Sequence, residues 1–257
     1  MGRAEKAKQA YLTAKKAGKP IPSLEPSILK SPELAVNYAL FVRKKPWRKA
    51  ETLIASSPEQ AIRYATRVLK GKFGRAEPTI AKSSAWSFFY AVDVLQGRFD
   101  LGEPAIASSP QYACWYAEKV IQGAWQEGEP AILQSLPWMI RYAKQIKGGK
   151  WQAGEDKALS RWSWLTEYAT QVMGRAWPRA EQEVLKQPKL VVPYAKEVIG
   201  GAWPPGEEII AKSSKRMCDY ALEVLRNRLP PSMHQDMVGL CILGDKHAEA
   251  YCDEFGM

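Results

Sequence analysis

Four cysteines and two histidines in 257 residues leave little material for a disulfide framework or a metal centre. Cys114, Cys218, Cys241 and Cys252 form no Cys-x-x-Cys pair and are too sparse to staple a fold, so a reducing compartment is the simpler reading. No stretch approaches the roughly 18 consecutive apolar residues of a membrane span. The opening Met1-Gly2-Arg3-Ala4-Glu5-Lys6 has no apolar signal-peptide core, and Lys6 stands where a myristoylation signal wants Ser or Thr. Cytoplasmic location without membrane attachment is therefore expected.

Catalytic signatures are missing too. There is no His-Glu-x-x-His, no Gly-x-Ser-x-Gly and no Gly-x-Gly-x-x-Gly, and the Gly149-Lys150 pair is followed by Trp151 rather than the Ser or Thr of a phosphate loop. His234, Cys241, His247 and Cys252 have the right types for zinc, but their spacings match no common zinc signature. Buried cap cysteines and surface histidines are the simpler reading. The expectation is a non-enzymatic protein with no catalytic residues, no metal and no cofactor.

Acid is scarce at one end. Residues 1–75 hold 17 Lys and Arg against 5 Asp and Glu, and the remaining 182 residues carry a net charge of −2, so the whole excess of the +10 chain lies in its first part. Such a block raises the local concentration of a polyanion, whether nucleic acid or an acidic protein face.

What the sequence has in plenty is repetition. Tyr-Ala begins at Tyr38, Tyr64, Tyr90, Tyr116, Tyr142, Tyr168, Tyr194 and Tyr220, each 26 residues after the last. An aromatic follows nine residues later, from Trp47 to Trp203, and a glutamate thirteen later, from Glu51 to Glu207. Chance does not keep three columns in register. In the clearest repeat, Ser109-Pro110 reads as an N-cap with proline at the first helical position. Ala113, Tyr116, Ala117, Val120 and Ile121 then form one apolar face, and Gly123 reads as the left-handed residue that ends the helix. Glu129 to Leu133 reads as a second, shorter helix whose N-terminal dipole favours Glu129. Neither helix buries its apolar face alone, so neighbouring repeats must stack.

These readings give an all-α fold: a right-handed-type α-solenoid of eight 26-residue long-helix and short-helix repeats over 31–229. A basic N-terminal helix and partial capping repeat occupy 1–30, and a helical cap occupies 230–257. The motifs Gly-Glu-x-x-Ile-Ala-x-Ser and Tyr-Ala-x-x-Val-Leu-x-Gly-x-Trp resemble helical repeat arrays of tailed phages and large DNA viruses over about residues 25–229. That resemblance implies the fold and a viral origin, hence host cytoplasm, but no site residues. In architecture the chain is broadly similar to tetratricopeptide-type and Sel1-like arrays, whose periods are longer.

In a repeat array, unchanging columns serve packing and function sits where repeats differ on an outward face. A helical wheel turns the residue before each Tyr and the residue three after it toward the exposed edge. That edge carries Arg63, Arg67, Phe89, Trp115, Lys119 and Arg141. Beside it lies the basic cluster Arg43, Lys44, Lys45, Arg48, Lys49, Lys70, Lys72 and Arg75, behind Lys6, Lys8, Lys15, Lys16 and Lys19. Interleaved cations and aromatics suit base stacking with phosphate neutralisation, and equally a protein hot spot. A solvated charged face is the bland alternative for the cations, and gap-filling is the alternative for Trp86, Tyr112, Trp138 and Trp164, four residues before their tyrosines. The leading expectation is a scaffold for nucleic acid; the rival is a protein adaptor or inhibitor, for which the viral resemblance implies a host factor as target.

Overall fold

The structure, a computed structural model, describes residues 2–174 and 177–257; Met1, Arg175 and Ala176 lie outside the described residues. It is all-helical, with no strand among those residues and a long and a short helix alternating along the chain, as in an α-solenoid. The chain divides into two compact units, Met1–Gly148 and Gly149–Met257.

The N-terminal unit opens with helix α1, Arg3–Ala17, which buries Ala7, Ala10, Tyr11 and Ala14 and is closed by left-handed Gly18. Repeats 1 to 5 follow, counted by their tyrosines. The long helix of repeat 4 begins at Pro110, with Ser109 at the cap position; the Ser109 carbonyl accepts the Ala113 N–H at 2.8 Å. The Ser109 side chain, however, makes no capping bond, so proline's fixed φ and that carbonyl start the helix without the expected hydroxyl. Ser31 does cap its helix, accepting the Leu34 N–H at 3.3 Å.

Past the tyrosine the long helix widens. Pro110–Tyr116 is α-helical, and Ala117–Ile121 continues with π-type bonding. The same change occurs at Ala39–Arg43, Ala65–Leu69, Ala91–Leu95, Ala195–Ile199 and Ala221–Leu225. The residue six after each Tyr is left-handed in every repeat: Lys44, Lys70, Gln96, Gln122, Gly148, Gly174, Gly200 and Arg226. This corrects the expectation for Gly123. The wide turn closes with the Gly123 N–H on the Ala117 carbonyl at 3.1 Å, so the reversal falls on Gln122, at φ 57°.

The C-terminal unit holds repeats 6 to 8 and two cap helices, Pro231–Ile242 and Lys246–Phe255. Asp245 caps the second through the His247 and Ala248 N–H groups, which hold its carboxyl below the usual range.

All eight repeat tyrosines are buried, each followed by a buried alanine, and the aromatic column from Trp47 to Trp203 is buried with them. Trp47, Phe73, Phe99, Trp125, Trp177 and Trp203 each pack on the tyrosine of their own repeat, as Tyr116 on Trp125 with centroids 4.8 Å apart. The hydroxyl reaches the other way. Tyr116 Oη accepts the Phe99 N–H at 3.0 Å and donates to Glu103 Oε1 at 2.8 Å, so the tyrosine of one repeat grips the start of the short helix before it. Tyr38, Tyr64, Tyr90, Tyr142 and Tyr220 make the same pair of bonds. The Tyr168 and Tyr194 hydroxyls are buried without a hydrogen-bond partner among the described residues. Burial raises the Tyr116 phenol far above its usual range; the Phe99 N–H opposes this and Glu103 adds to it. It therefore stays a donor at any ordinary pH.

Tyr116→Phe orphans the buried Phe99 N–H and is expected to cost about 1–3 kcal/mol in a urea unfolding curve. Tyr194→Phe removes a hydroxyl that bonds nothing and should cost nothing or raise stability; equal losses in the two variants would refute the hydrogen-bonding role. Burial pushes the Glu103 carboxyl up, but the hydrogen bonds from Arg98 and Tyr116 outweigh it and the net shift is downward. A lowered folded pKa contributes stability above the unfolded pKa that is lost as pH falls through the folded one. Melting temperature against pH should accordingly have a shallower acid limb in Glu103→Gln than in the parent.

Candidate nucleic-acid interface

The basic cluster separates into paired and free cations. Arg43 is half-buried, with Nη1 2.7 Å from Glu25 Oε1 and its guanidinium over the Trp47 ring at 5.6 Å. It stands in a column that is Leu69, Leu95 and Ile121 in the next three repeats, so its stem takes an apolar place while its head is neutralised. Arg63 is half-buried and donates to Asn37 Oδ1 of the previous long helix at 2.7 Å. Arg141 pairs with Glu118 at 2.8 Å, Arg75 donates to Thr52 Oγ1 at 3.0 Å, and Lys72 lies 3.4 Å from Glu77. These five are corrections to the expected set of open cations. Arg43, Arg63 and Arg141 are committed to helix packing, whereas Arg75 and Lys72 stay exposed but already have partners.

Among the described residues, Lys44, Lys45, Arg48, Lys49, Arg67, Lys70 and Lys119 are exposed and make no ion pair. All but Arg67 and Lys119 come from the turns after the long helices of repeats 1 and 2 and from the start of helix Arg48–Ala55. The reversals at Lys44 and Lys70 hold these turns at the same point of each repeat. Lys45, Arg48 and Lys49 border an open depression of about 400 Å³ that Arg43, Trp47 and Glu25 also line. In repeats 3 and 4 the corresponding turns carry Gln96 and Gln122, and Arg98 there is held by Glu103 through two bonds of 2.9 and 2.8 Å. Among repeats 1 to 4, the unpaired cations at the turn end thus belong to the first two.

The aromatic edge is a ladder. Trp86 meets Phe89 at 6.1 Å, Phe89 meets Tyr112 at 6.4 Å, Tyr112 meets Trp115 at 5.7 Å, and Trp115 meets Trp138 at 5.6 Å. Buried Phe88 touches Phe89, Tyr112 and Trp115 from below. Phe89 is exposed, at 37%, as its helical angle implied. Trp115 is not: rings of three repeats close over it and leave it half-buried. Trp86, Tyr112 and Trp138 are likewise half-buried; Tyr112 and Trp138 reach the long helix before their own, whereas Trp86 meets Phe89 of its own helix. In the C-terminal unit Trp164 is half-buried, with the Arg161 guanidinium over its ring at 5.3 Å.

Two features were not found from the sequence. Lys147 repeats the Arg43 device, 2.8 Å from Glu129 and over the Tyr142 ring at 5.8 Å; the signal was a cation in an otherwise apolar column. In the cap, Tyr251 takes the role of a repeat tyrosine off the 26-residue period. Its hydroxyl accepts the Leu229 N–H at 3.2 Å and meets His234 Nδ1 at 2.7 Å. Cys252 is buried, and burial together with the neighbouring Cys241 thiol pushes it up to about 11. Burial likewise pushes Cys114 up to about 11, so neither thiol is poised for reaction. Among the described residues no group of three or more His, Cys, Asp and Glu is placed to hold a metal ion, and no helix is long and apolar enough to cross a membrane.

Compared with known protein families, with curated proteins and with solved structures, the chain matches none.

Because Trp115 is wedged between rings, Trp115→Ala should lower stability by about 1–3 kcal/mol, less than the roughly 3–5 of a fully buried Trp. Phe89→Ala should cost about 1 kcal/mol or less. Thermal melts of the two single variants decide it, and a Trp115→Ala melt indistinguishable from the parent would return that residue to the open surface.

Proposed function

We propose that the protein is a non-enzymatic scaffold that binds a polyanion, nucleic acid first, across the turn end of repeats 1 and 2. The observation that carries this reading is the set of exposed cations Lys44, Lys45, Arg48, Lys49 and Lys70, gathered on adjacent turns without a carboxylate partner among the described residues. Cations already neutralised by the protein gain little from a phosphate; these would each displace a condensed counterion from the strand. Arg67 on the second long helix and Lys119 further along extend the positive field, while Phe89 leaves an exposed ring for an unpaired base. A long-range field of this kind steers association as well as holding the ligand. The half-buried ladder behind Phe89 serves packing before it serves binding, which supports recognition through the nucleic-acid backbone with weak dependence on base sequence.

Replacing Lys44, Lys45, Arg48 and Lys49 together by Ala should flatten the slope of log affinity against log salt by about 3–4 for a duplex and by somewhat less for a single strand. Arg43→Ala should instead lower the melting temperature and leave the slope nearly unchanged, since its charge is already paired. A parent protein without measurable affinity for DNA or RNA at low salt would overturn the nucleic-acid reading in favour of a protein partner.

A further inference from the structure

Phe41 and Phe89 are the exposed aromatic rings among the described residues, at 48% and 37%; every other Phe, Trp and Tyr is half-buried or buried. Both belong to the N-terminal unit, and both lie on long helices beside a repeat tyrosine, Phe41 three positions after Tyr38 and Phe89 one before Tyr90. Phe41 breaks its column. At the same position the seven later repeats carry only Arg, Asp, Lys, Gln or Glu, so the repeat asks for a polar, solvated residue there. Packing does not account for the exception, because helix α1 buries its own Tyr11 but leaves the Phe41 ring open.

The surroundings of the two rings differ from those of an ordinary apolar patch. Lys15 of α1 sets its ammonium 5.3 Å from the Phe41 centroid, and Lys44, the first of the open cations, follows three residues later. Arg67 occupies the Phe41 position in repeat 2, between the two rings. Lys15, Lys44 and Arg67 are all exposed and have no carboxylate partner among the described residues. Beside Phe89 the charge is of the other sign: exposed Asp93 lies four residues on, on the same face of the helix, so that position suits a base and not a phosphate. Rings alternating with open cations are what a strand with unpaired bases requires, since each base offers a face for stacking and each phosphate a charge. A duplex has no such face to offer, because its bases are already stacked and extruding one is costly.

We propose that the polyanion is a single-stranded nucleic acid, with one base stacked on Phe41, a second on Phe89, and the backbone held by Lys15, Lys44 and Arg67. The assignment rests on the polyanion reading and adds to it the form of the strand. Repeats 1 and 3 lie two helix spacings apart, about 8–10 Å each, and the backbone between the two bases passes Arg67. Stacking accepts any base, so the strand is chosen for being single and not for its sequence.

The test is fluorescence anisotropy at low salt with a labelled oligothymidylate, alone and annealed to its complement, on the parent, Phe41→Leu, Phe89→Leu and Phe41→Trp. Leucine keeps the apolar bulk and removes the aromatic face, so the melting curves should stay close to the parent's. Each leucine variant should weaken single-strand binding by about fivefold or more and leave duplex binding near the parent's. Phe41→Trp, with a larger face, should bind the single strand more tightly than the parent. The slope of log affinity against log salt should be the parent's throughout, since no charge is removed. Where the leucine variants fold as the parent does, single-strand and duplex affinities that fall together, or a single-strand affinity that does not fall, overturn the assignment and leave the polyanion reading in place. Where Phe41→Leu melts lower because α1 loosens, Phe41→Trp decides for that ring: a rise confined to the single strand supports it and no rise overturns it. A parent that binds neither form overturns both the assignment and the reading beneath it.

Discussion

The buried tyrosine hydroxyl is the contact on which the rest of the repeat depends. A helix of four or five residues, such as Glu77–Ile80 or Glu103–Ala107, cannot stabilise itself in water, because nucleating a turn costs more than so few bonds return. The tyrosine supplies what is missing. It accepts the backbone N–H just before the short helix and donates to the carboxylate at its start, fixing the entry of the chain and placing a negative charge at the positive end of the helix. The ring packs edge-on against the aromatic that follows its own long helix, so each tyrosine whose hydroxyl makes both bonds ties three segments together. Alanine must come next in sequence because a larger side chain at that fully buried position would push the neighbouring helix away.

A scaffold built this way leaves its turns free. The residue that reverses the chain six positions after each tyrosine needs a left-handed backbone but no particular side chain, and the eight repeats fill it with Lys, Gln, Gly and Arg. A non-glycine residue there is strained by roughly 1–2 kcal/mol, which the packed helices on either side sustain. Lysines at the first two such positions add charge without adding contacts. The same freedom does not extend to the long-helix edge, where successive repeats lie close enough for rings to interlock and for arginines to find partners in the helix before them.

Much of the fold was legible in the sequence, and the reason is redundancy. Tyr38 through Tyr220, Trp47 through Trp203 and the glutamates between them recur because every repeat solves the same packing problem, so the period reveals the core without any knowledge of partners. The site was less legible. A helical wheel treats one helix in isolation and assumes 3.6 residues per turn; it placed Trp115 outward, but could not register Phe88 and Trp138 closing over it from the repeats on either side. Beyond the tyrosine, the π-type widening also shifts each angle, and with it the residue that ends the helix, from Gly123 to Gln122.

The sequence by itself determined the all-helical class, the 26-residue register, the identity of the buried columns and the basic character of the first 75 residues, since all of these are properties of order and composition along one chain. Only the tertiary structure decided which cations are open. Arg43 is neutralised by a glutamate 18 residues earlier, Arg141 by one 23 residues earlier, and Arg63 is held by an asparagine 26 residues earlier. Those partners come from neighbouring helices of the stack, and whether a long side chain reaches one depends on the distance and tilt between helices, which no single-chain pattern encodes.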